Sequence, residues 1–279
     1  MTATTAMMET TATPILETRG LTRRFGDVTA VDDFTIAVAE GEAFGLLGPN
    51  GAGKTTVLRM LTTLLPPTAG SARVAGCDVQ RQAMGVRRAI GYVPQALSVD
   101  GALTAYENLL IFAKLYDIPR KERAGRIEHA LALVGLTDAA GRMVREFSGG
   151  MIRRLEIAQS TLHRPRVLFL DEPTVGLDPL AREAVWEHIK RLHTELGTTL
   201  FLTTHYMEEA DDLCNRIAIL HRGKLATAGT PAELKASLGR PGAEATLNDV
   251  FLHYAGDTLE SGGSYRETSR GRRTARRLG

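Results

Sequence analysis

The chain has 279 residues, long enough for one large α/β domain with an inserted subdomain or two small domains, and its 43% hydrophobic and 24% charged residues are ordinary for a globular protein. A net charge of +2 is too small to point to nucleic acid, and no uncharged apolar run approaches the roughly 18 residues of a membrane span. Cys77 and Cys214 stand apart with no metal-ligand spacing, which suits a reducing compartment.

Residues 1–14 are rich in Thr and Ala. They lack a basic start followed by an apolar stretch, so a disordered tail is expected there and no signal peptide. The alternation in Phe34-Thr35-Ile36-Ala37-Val38 predicts a strand, and Ala43-Phe44-Gly45-Leu46-Leu47 a buried one ending at a Gly-rich turn. A helix is expected from Val57 through Leu65, stopped by Pro66-Pro67.

From Gln95 to about Arg164 the pattern is helical. Thr104-Ala105-Tyr106-Glu107 reads as a capping box, a second helix should run from Pro119 to Gly135, and a third should open at Ser148. That third helix carries Ile152, Leu155, Gln159 and Leu162 along one face.

Strands return at Val167–Leu170, Thr198–Leu202 and Ile217–Leu220, with an amphipathic helix (Val185, Ile189, Leu192, Leu196) between the first two. Strand-helix-strand alternation with continuous apolar strands indicates a parallel sheet covered on both faces. His221-Arg222-Gly223-Lys224 reads as a hairpin turn, and Thr230-Pro231-Ala232-Glu233 as a second capping box. Past Gly256 the composition shifts to Ser, Gly and Arg, which predicts a flexible basic tail over 257–279.

Gly48-Pro49-Asn50-Gly51-Ala52-Gly53-Lys54-Thr55 fits G-x-x-x-x-G-K-[ST] between a buried strand and a helix. Its glycines let backbone N–H groups wrap phosphate oxygens, and the helix N-terminus adds its positive end. Lys54 is positioned to reach the β- and γ-phosphates and Thr55 to hold Mg²⁺; Gly48, Asn50, Gly51, Ala52, Gly53 and Thr56 complete the expected nucleotide contacts. Alone, this motif would suit a kinase, a GTPase or many ATPases. Asp171 and Glu172 follow the buried strand Val167–Leu170 at its C-terminal end, where open α/β sheets bind ligands. Asp171 is the expected metal carboxylate and Glu172 the expected base for the attacking water.

Phe147-Ser148-Gly149-Gly150-Met151 opens a helix just upstream of those acids. Here the chain resembles the ABC transporter ATPases, whose signature is a Ser-Gly-Gly segment at this place. Gln95 in Tyr92-Val93-Pro94-Gln95 resembles the Q-loop, Gly176-Leu177-Asp178 the D-loop, and His205 after Thr203-Thr204 the switch histidine. Phe25 takes the place of the adenine-stacking aromatic.

The resemblance covers about residues 15–235. It implies an α/β P-loop NTPase fold of the RecA-like kind: a mostly parallel core sheet, an N-terminal antiparallel β subdomain and an inserted α-helical subdomain. The expected division is a nucleotide-binding core over 15–95 and 165–228, a helical subdomain over 96–164, and a short C-terminal assembly element over 229–256. It also implies that two cassettes close head-to-tail around two ATPs. Ser148, Gly149 and Gly150 of one would meet the γ-phosphate held by the other, and Asp178 would cross the interface. His205 would sense the γ-phosphate, and Gln95 would touch the metal or water and transmit closure to a membrane partner.

Met151 stands where the family often has Gln, and Phe25 where Tyr is commoner. Neither removes the Ser148 cap nor the stacking face.

Asp171 to Pro179, Thr204 to Asp211 and Asp249-Val250-Phe251-Leu252 resemble the daunorubicin-resistance group of exporter ATPases. That group implies a separate ABC-2 type integral-membrane permease as partner, a second copy or homologous cassette, a place at the cytoplasmic face of the cell membrane, and export of a drug, lipid or other amphiphile. Nucleic acid is not an expected partner. The rival readings are a non-transport ABC ATPase, of the ribosome-associated or DNA-repair type, and an importer ATPase. Against the first stand the single cassette and the roughly fifty residues between Gln95 and Ser148, too few for a coiled-coil arm. Against the second stands the short stretch after the cassette.

Overall fold

The structure is a computed structural model that describes residues 13–239 and 245–255. The tail expected over 257–279 lies outside those residues, as does all but the end of the one expected over 1–14. The chain begins with two antiparallel strands, β1 (Leu16–Phe25) and β2 (Val28–Val38). Then come β3 (Ala43–Leu47), α1 (Lys54–Leu61), β4 (Ala69–Val74), β5 (Cys77–Asp78), α2 (Ala83–Ala89) and β6 (Ile90–Val93). The helices α3 (Ala105–Leu115), α4 (Arg120–Leu133) and α5 (Gly149–Thr161) follow. Next are β7 (Val167–Asp171), α6 (Pro179–Leu196), β8 (Thr199–Thr204), α7 (Met207–Leu213), β9 (Arg216–His221) and β10 (Lys224–Gly229). The short helices α8 (Pro231–Ala236) and α9 (Leu247–Ala255) come last.

One sheet is antiparallel, in the order β2-β1-β4-β5, and the other runs β10-β9-β3-β8-β7-β6. Within the second, only the β9–β10 hairpin pair is antiparallel. Arg222 and Gly223 both have positive φ (48° and 79°), the geometry of a two-residue turn whose twist matches its strands. This is the expected P-loop arrangement: a parallel core with an antiparallel β sheet at one side.

Successive side chains of a strand point to opposite faces, and the parallel strands show what that does with continuous apolar runs. Phe44, Val167, Phe169, Phe201, Ala218 and Leu220 turn toward α1 and the antiparallel sheet. Leu47, Leu168, Leu170, Leu200, Leu202, Ile217 and Ile219 turn toward the helices. Phe201 stacks on Phe44 at 5.4 Å between centroids and lies 5.5 Å from Phe169, forming an aromatic row on one face only. Truncating such a fully buried Phe to Ala costs about 3–5 kcal/mol. The helical stretch has no separate core; Leu109, Ile127, Leu131 and Leu155 join the same cluster as the sheet's second face.

Local signals explain the helix starts. Thr104 caps α3 and Thr230 caps α8, each in a reciprocal box with the Glu three residues on, as expected. The helix expected to reach Leu65 ends instead at Leu61. Its apolar periodicity continues, but Thr63 adopts φ +64°, and the N–H groups of Leu64 and Leu65 both turn back to the carbonyl of Arg59 (2.9 and 3.0 Å). The left-handed residue closes the helix one turn before the prolines do.

α8 and α9 lie on the chain's own core. Leu234, Leu247 and Val250 are buried there, while Leu252 is left exposed.

Candidate functional site

The loop between β3 and α1 is shaped by contacts that leave no room for side chains. A Cβ at Gly48 would stand 2.4 Å from the carbonyl oxygen of Leu220, and one at Gly53 only 2.5 Å from that of Ala30. Gly53 also sits at φ +106°, a conformation natural only to glycine. Gly223 N–H donates to the Ala52 carbonyl (2.9 Å), and Asp32 N–H to the Gly223 carbonyl (2.8 Å), so β2 and the β9–β10 turn brace the loop. Asn50 and Gly51 stay exposed, Thr55 and Thr56 half-buried.

Lys54 opens α1 and is buried, with its ammonium donating to the carbonyls of Gly48 (2.7 Å) and Pro49 (3.1 Å). Its third partner is Glu172, whose Oε1 lies 3.2 Å away. β7 and β8 bring the acids into place. Thr203 Oγ1 donates to Asp171 Oδ1 at 2.7 Å, and Thr55 Oγ1 approaches the same oxygen at 3.3 Å. Burial pushes the Asp171 carboxyl up; the two threonine hydrogen bonds oppose this, and the neighbouring Glu172 adds to it.

Glu172 takes φ +49°, unusual for a residue with a side chain. Its N–H is held by the Thr203 carbonyl (3.0 Å) and hydroxyl (3.2 Å). The twist sends its carboxylate away from Asp171 to meet three groups. Besides Lys54, these are Gln95 Nε2, 3.4 Å from Oε2, and His205 Nδ1, 3.4 Å from Oε1 but not aligned as a hydrogen bond. His205 follows β8, is 30% exposed in its side chain, and packs on Tyr206 at 4.3 Å between ring centroids.

The structure thus brings Lys54, Thr55, Gln95, Asp171, Glu172 and His205 to one place at the C-terminal ends of the parallel strands. Phe25, Ser148, Gly149, Gly150 and Asp178 stand on other elements, outside this cluster. Phe25 ends β1 opposite Val28, which lies two residues before the Ala30 that braces Gly53; the residue is 46% exposed, and the Arg23 guanidinium lies over its ring at 4.6 Å. Ser148 caps α5 by accepting from Met151 N–H (3.3 Å), and Ser148 and Gly149 are exposed. Asp178 caps α6 by accepting from Ala181 N–H (3.0 Å). The two helix starts touch: Cβ atoms at Gly149 and Gly150 would lie 3.3 Å from Leu177 and 3.0 Å from Ala181.

Sequence reasoning assigned no role to Thr203, although it holds both acids. Its one visible sign is a hydroxyl just after the apolar run Leu200-Phe201-Leu202. Glu209, wholly buried on α7, was also missed; it accepts from Thr174 Oγ1 (2.7 Å) and Trp186 Nε1 (2.9 Å), tying the segment after Glu172 to α6 and α7.

Fold and loop together define a P-loop nucleotide-binding protein. The chain belongs to the ABC transporter family, whose model matches residues 31–175. It is 44% identical over 243 residues to the daunorubicin/doxorubicin resistance ATP-binding protein DrrA of Streptomyces peucetius, covering 87% of this chain and 73% of that one. It is 39% identical over 225 residues to the linearmycin resistance ATP-binding protein LnrL of Bacillus subtilis (strain 168), covering 81% and 72%. Among solved structures, an ATP-binding subunit of an ABC transporter superposes with a TM-score of 0.75 at 28% identity, covering 86% of this chain and 99% of that one. ABC ATPase subunits bind and hydrolyse ATP, dimerise, and work with a membrane permease. No helix among the described residues is long and apolar enough to cross a membrane.

Proposed function

We propose that this chain is the motor of an exporter for drugs, lipids or other amphiphiles, closing head-to-tail with a second cassette around two Mg-ATP beneath a separate ABC-2 type permease. The observation that carries the reading is a division of labour within the chain. Lys54, Asp171, Glu172 and His205 share one buried site, whereas Ser148 presents an exposed helix end whose hydroxyl bonds only within its own turn. A helix N-terminus of that kind favours an anion. One cassette's Ser148, Gly149 and Gly150 then face the γ-phosphate in the other's site.

In this reading Phe25 stacks on adenine, the loop Gly48–Gly53 and residues Lys54, Thr55 and Thr56 hold the phosphates, and Asp178 crosses the interface. Glu172 accepts the proton of the attacking water, and His205 contacts the γ-phosphate. Hard oxygen donors suit Mg²⁺, and the Asp171 carboxylate and Thr55 hydroxyl supply two of them 3.3 Å apart, beside the Gln95 side chain. These three residues would hold the ion, which would neutralise charge on the phosphates.

The export role and the substrate class rest on relatives named for daunorubicin, doxorubicin and linearmycin resistance. Those names do not favour a non-transport ATPase. A place at the cytoplasmic membrane face follows from the permease, for which Leu97, two residues past Gln95, offers an exposed apolar side chain.

The test is ATP-driven dimerisation of the Glu172→Gln chain, followed by size-exclusion chromatography with light scattering. A dimer is expected with Mg-ATP and a monomer after Ser148→Arg is added, with nucleotide affinity kept. Dimerisation unaffected by Ser148→Arg refutes the head-to-tail site.

A further inference from the structure

α5 does more than present Ser148. Its side chains at Arg153, Glu156 and Ser160 reach Tyr92, Pro94, Gln95 and Ser98 in the segment 92–98, which carries Gln95. Ser160 Oγ donates to the Tyr92 carbonyl at 3.0 Å. Arg153 spreads its guanidinium over two successive carbonyls, Nη1 to Pro94 O at 2.7 Å and Nη2 to Gln95 O at 2.9 Å. Glu156 accepts from the Ser98 N–H and from Ser98 Oγ, the latter at 3.0 Å. Arg153 and Glu156 also pair with each other at 2.9 Å, with side chains only 4% and 1% exposed.

Stability alone is a weak reason for such a pair. Two buried charges lose their hydration, and apolar residues of similar size would hold the helix at least as well. What apolar residues could not do is bind backbone groups on both sides of one position. Arg153 and Glu156 grip carbonyls and an N–H from Pro94 to Ser98, so this stretch cannot shift without α5. Arg153 lies five residues past Ser148, about 7.5 Å along the helix. The same rod therefore carries an exposed anion-binding end and, a turn and a half away, the mount of Gln95. The Gln95 side chain ends 3.4 Å from Glu172, and Leu97, between the two clamped points, is exposed.

Resting on the head-to-tail reading above, we infer that Arg153 and Glu156 are positioning residues that make segment 94–98 move with α5. Seating Ser148 on the partner's nucleotide then shifts Gln95, which already stands 3.4 Å from Glu172, within this chain's own site. Each site becomes competent only when the chain's signature end is engaged on the other, which links the two hydrolysis events. The displacement also reaches Leu97.

The test uses Arg153→Lys, Arg153→Met and Glu156→Gln in the full chain. Measured are ATP affinity, kcat and KM for ATPase activity, melting temperature, and ATP-driven dimerisation in the Glu172→Gln background. Lysine keeps the charge and the Glu156 partner, but it lacks the fork that reaches two carbonyls at once. The expected result is wild-type ATP affinity and dimerisation for all three. kcat should fall about tenfold or more with little change in KM, because a small misplacement far from the chemistry costs this much. Arg153→Lys should melt near wild type and still turn over slowly.

A purely structural pair would instead make kcat follow melting temperature, and wild-type kcat in Arg153→Lys and Glu156→Gln overturns the inference. If Arg153→Met fails to fold, those two variants decide. Failure of the unmodified site shows up separately, as a Glu172→Gln chain that never dimerises with ATP.

Discussion

Lys54 Nζ and Glu172 Oε1 stand 3.2 Å apart, both buried, the first from the start of α1 and the second from the turn after β7. The residue expected to hold phosphate and the residue expected to polarise water are thus each other's counter-charge. Phosphate entering the loop would compete with Glu172 for the same ammonium and so release the carboxylate toward Gln95 and His205. A pair of this kind binds the two halves of the site together electrostatically. Breaking one side of it leaves an uncompensated buried charge.

That argument gives a stability prediction separate from activity. In nucleotide-free buffer Lys54→Met should destabilise the chain by up to about 3 kcal/mol, and adding Glu172→Gln should restore part of the loss. Denaturant unfolding of both single variants and the double should give a coupling energy of at least about 1 kcal/mol. Strict additivity would show that the two charges do not depend on each other. In activity, Lys54→Met should lose ATP affinity, whereas Glu172→Gln should bind ATP and hydrolyse it about 10²-fold more slowly.

The loop's glycines should separate into two kinds. Gly51 has φ +82° with nothing within 4 Å of a Cβ, so Gly51→Ala carries only backbone strain, about 1–2 kcal/mol. Gly53→Ala adds a steric conflict, since its Cβ would meet the Ala30 carbonyl at 2.5 Å. Relief requires β2 to retreat, and with it the β1–β2 turn that carries Phe25. Gly53→Ala should therefore lose much more nucleotide affinity than Gly51→Ala, as read by titration with a fluorescent ATP analogue. Equal losses would mean that the bracing strand plays no part.

Much of this architecture was readable because it rests on local rules. Period-two alternation splits Phe169 from Leu168 and Phe201 from Leu202, and the boxes at Thr104 and Thr230 involve residues only three apart. The end of α1 was not readable, since Leu64 and Leu65 continue the apolar pattern and Thr63 gives no sign of a positive φ. Site membership followed from motif order, but the partners of each member did not. Nothing in the string Asp171-Glu172 says that a left-handed turn sends the second carboxylate to Lys54 and not to Thr55. Thr203, Arg153 and Glu209 act across 30 or more residues of sequence, where spacing carries no information.

Acid should weaken the joint between α3 and α5. His163 stacks face to face on Tyr116 at 3.8 Å between centroids, and its Nε2–H donates to the Ile90 carbonyl at 2.9 Å. Burial holds its pKa below the ordinary 6.5; the nearby Arg126 adds to this and the Ile90 hydrogen bond opposes it. A depressed folded pKa means the unfolded chain takes up the proton first as pH falls. The contribution to stability is complete above about pH 6.5 and is lost progressively below it. His163→Phe keeps the stack but forfeits the hydrogen bond, so its melting temperature should be lower at pH 8 yet fall less between pH 7 and pH 5. The slope shrinks without vanishing, because His188 is depressed in the same direction by burial and by Arg154. Parallel melting curves for the two proteins would exclude His163 as a contributor.

Asp178 has a local task and a proposed distant one, and one substitution separates them. Its carboxylate caps α6 at Ala181 N–H, and Ala181 itself packs against Gly150, so the cap also sets the surface beside Ser148. Asp178→Ala removes the cap at a cost of about 1 kcal/mol and should weaken ATP-driven dimerisation through both routes. Asp178→Asn retains a capping oxygen, because Asn serves at this position as well as Asp. It should melt like the wild type. Its negative charge is gone, however, and a residue that crosses a closed interface to meet a partner's polar groups loses its charge-assisted hydrogen bond. The expected result is a stable Asp178→Asn chain whose Glu172→Gln dimer needs more ATP to form. A dimer formed at the wild-type ATP concentration would reduce Asp178 to a helix cap and leave the crossing contact to other residues of the turn.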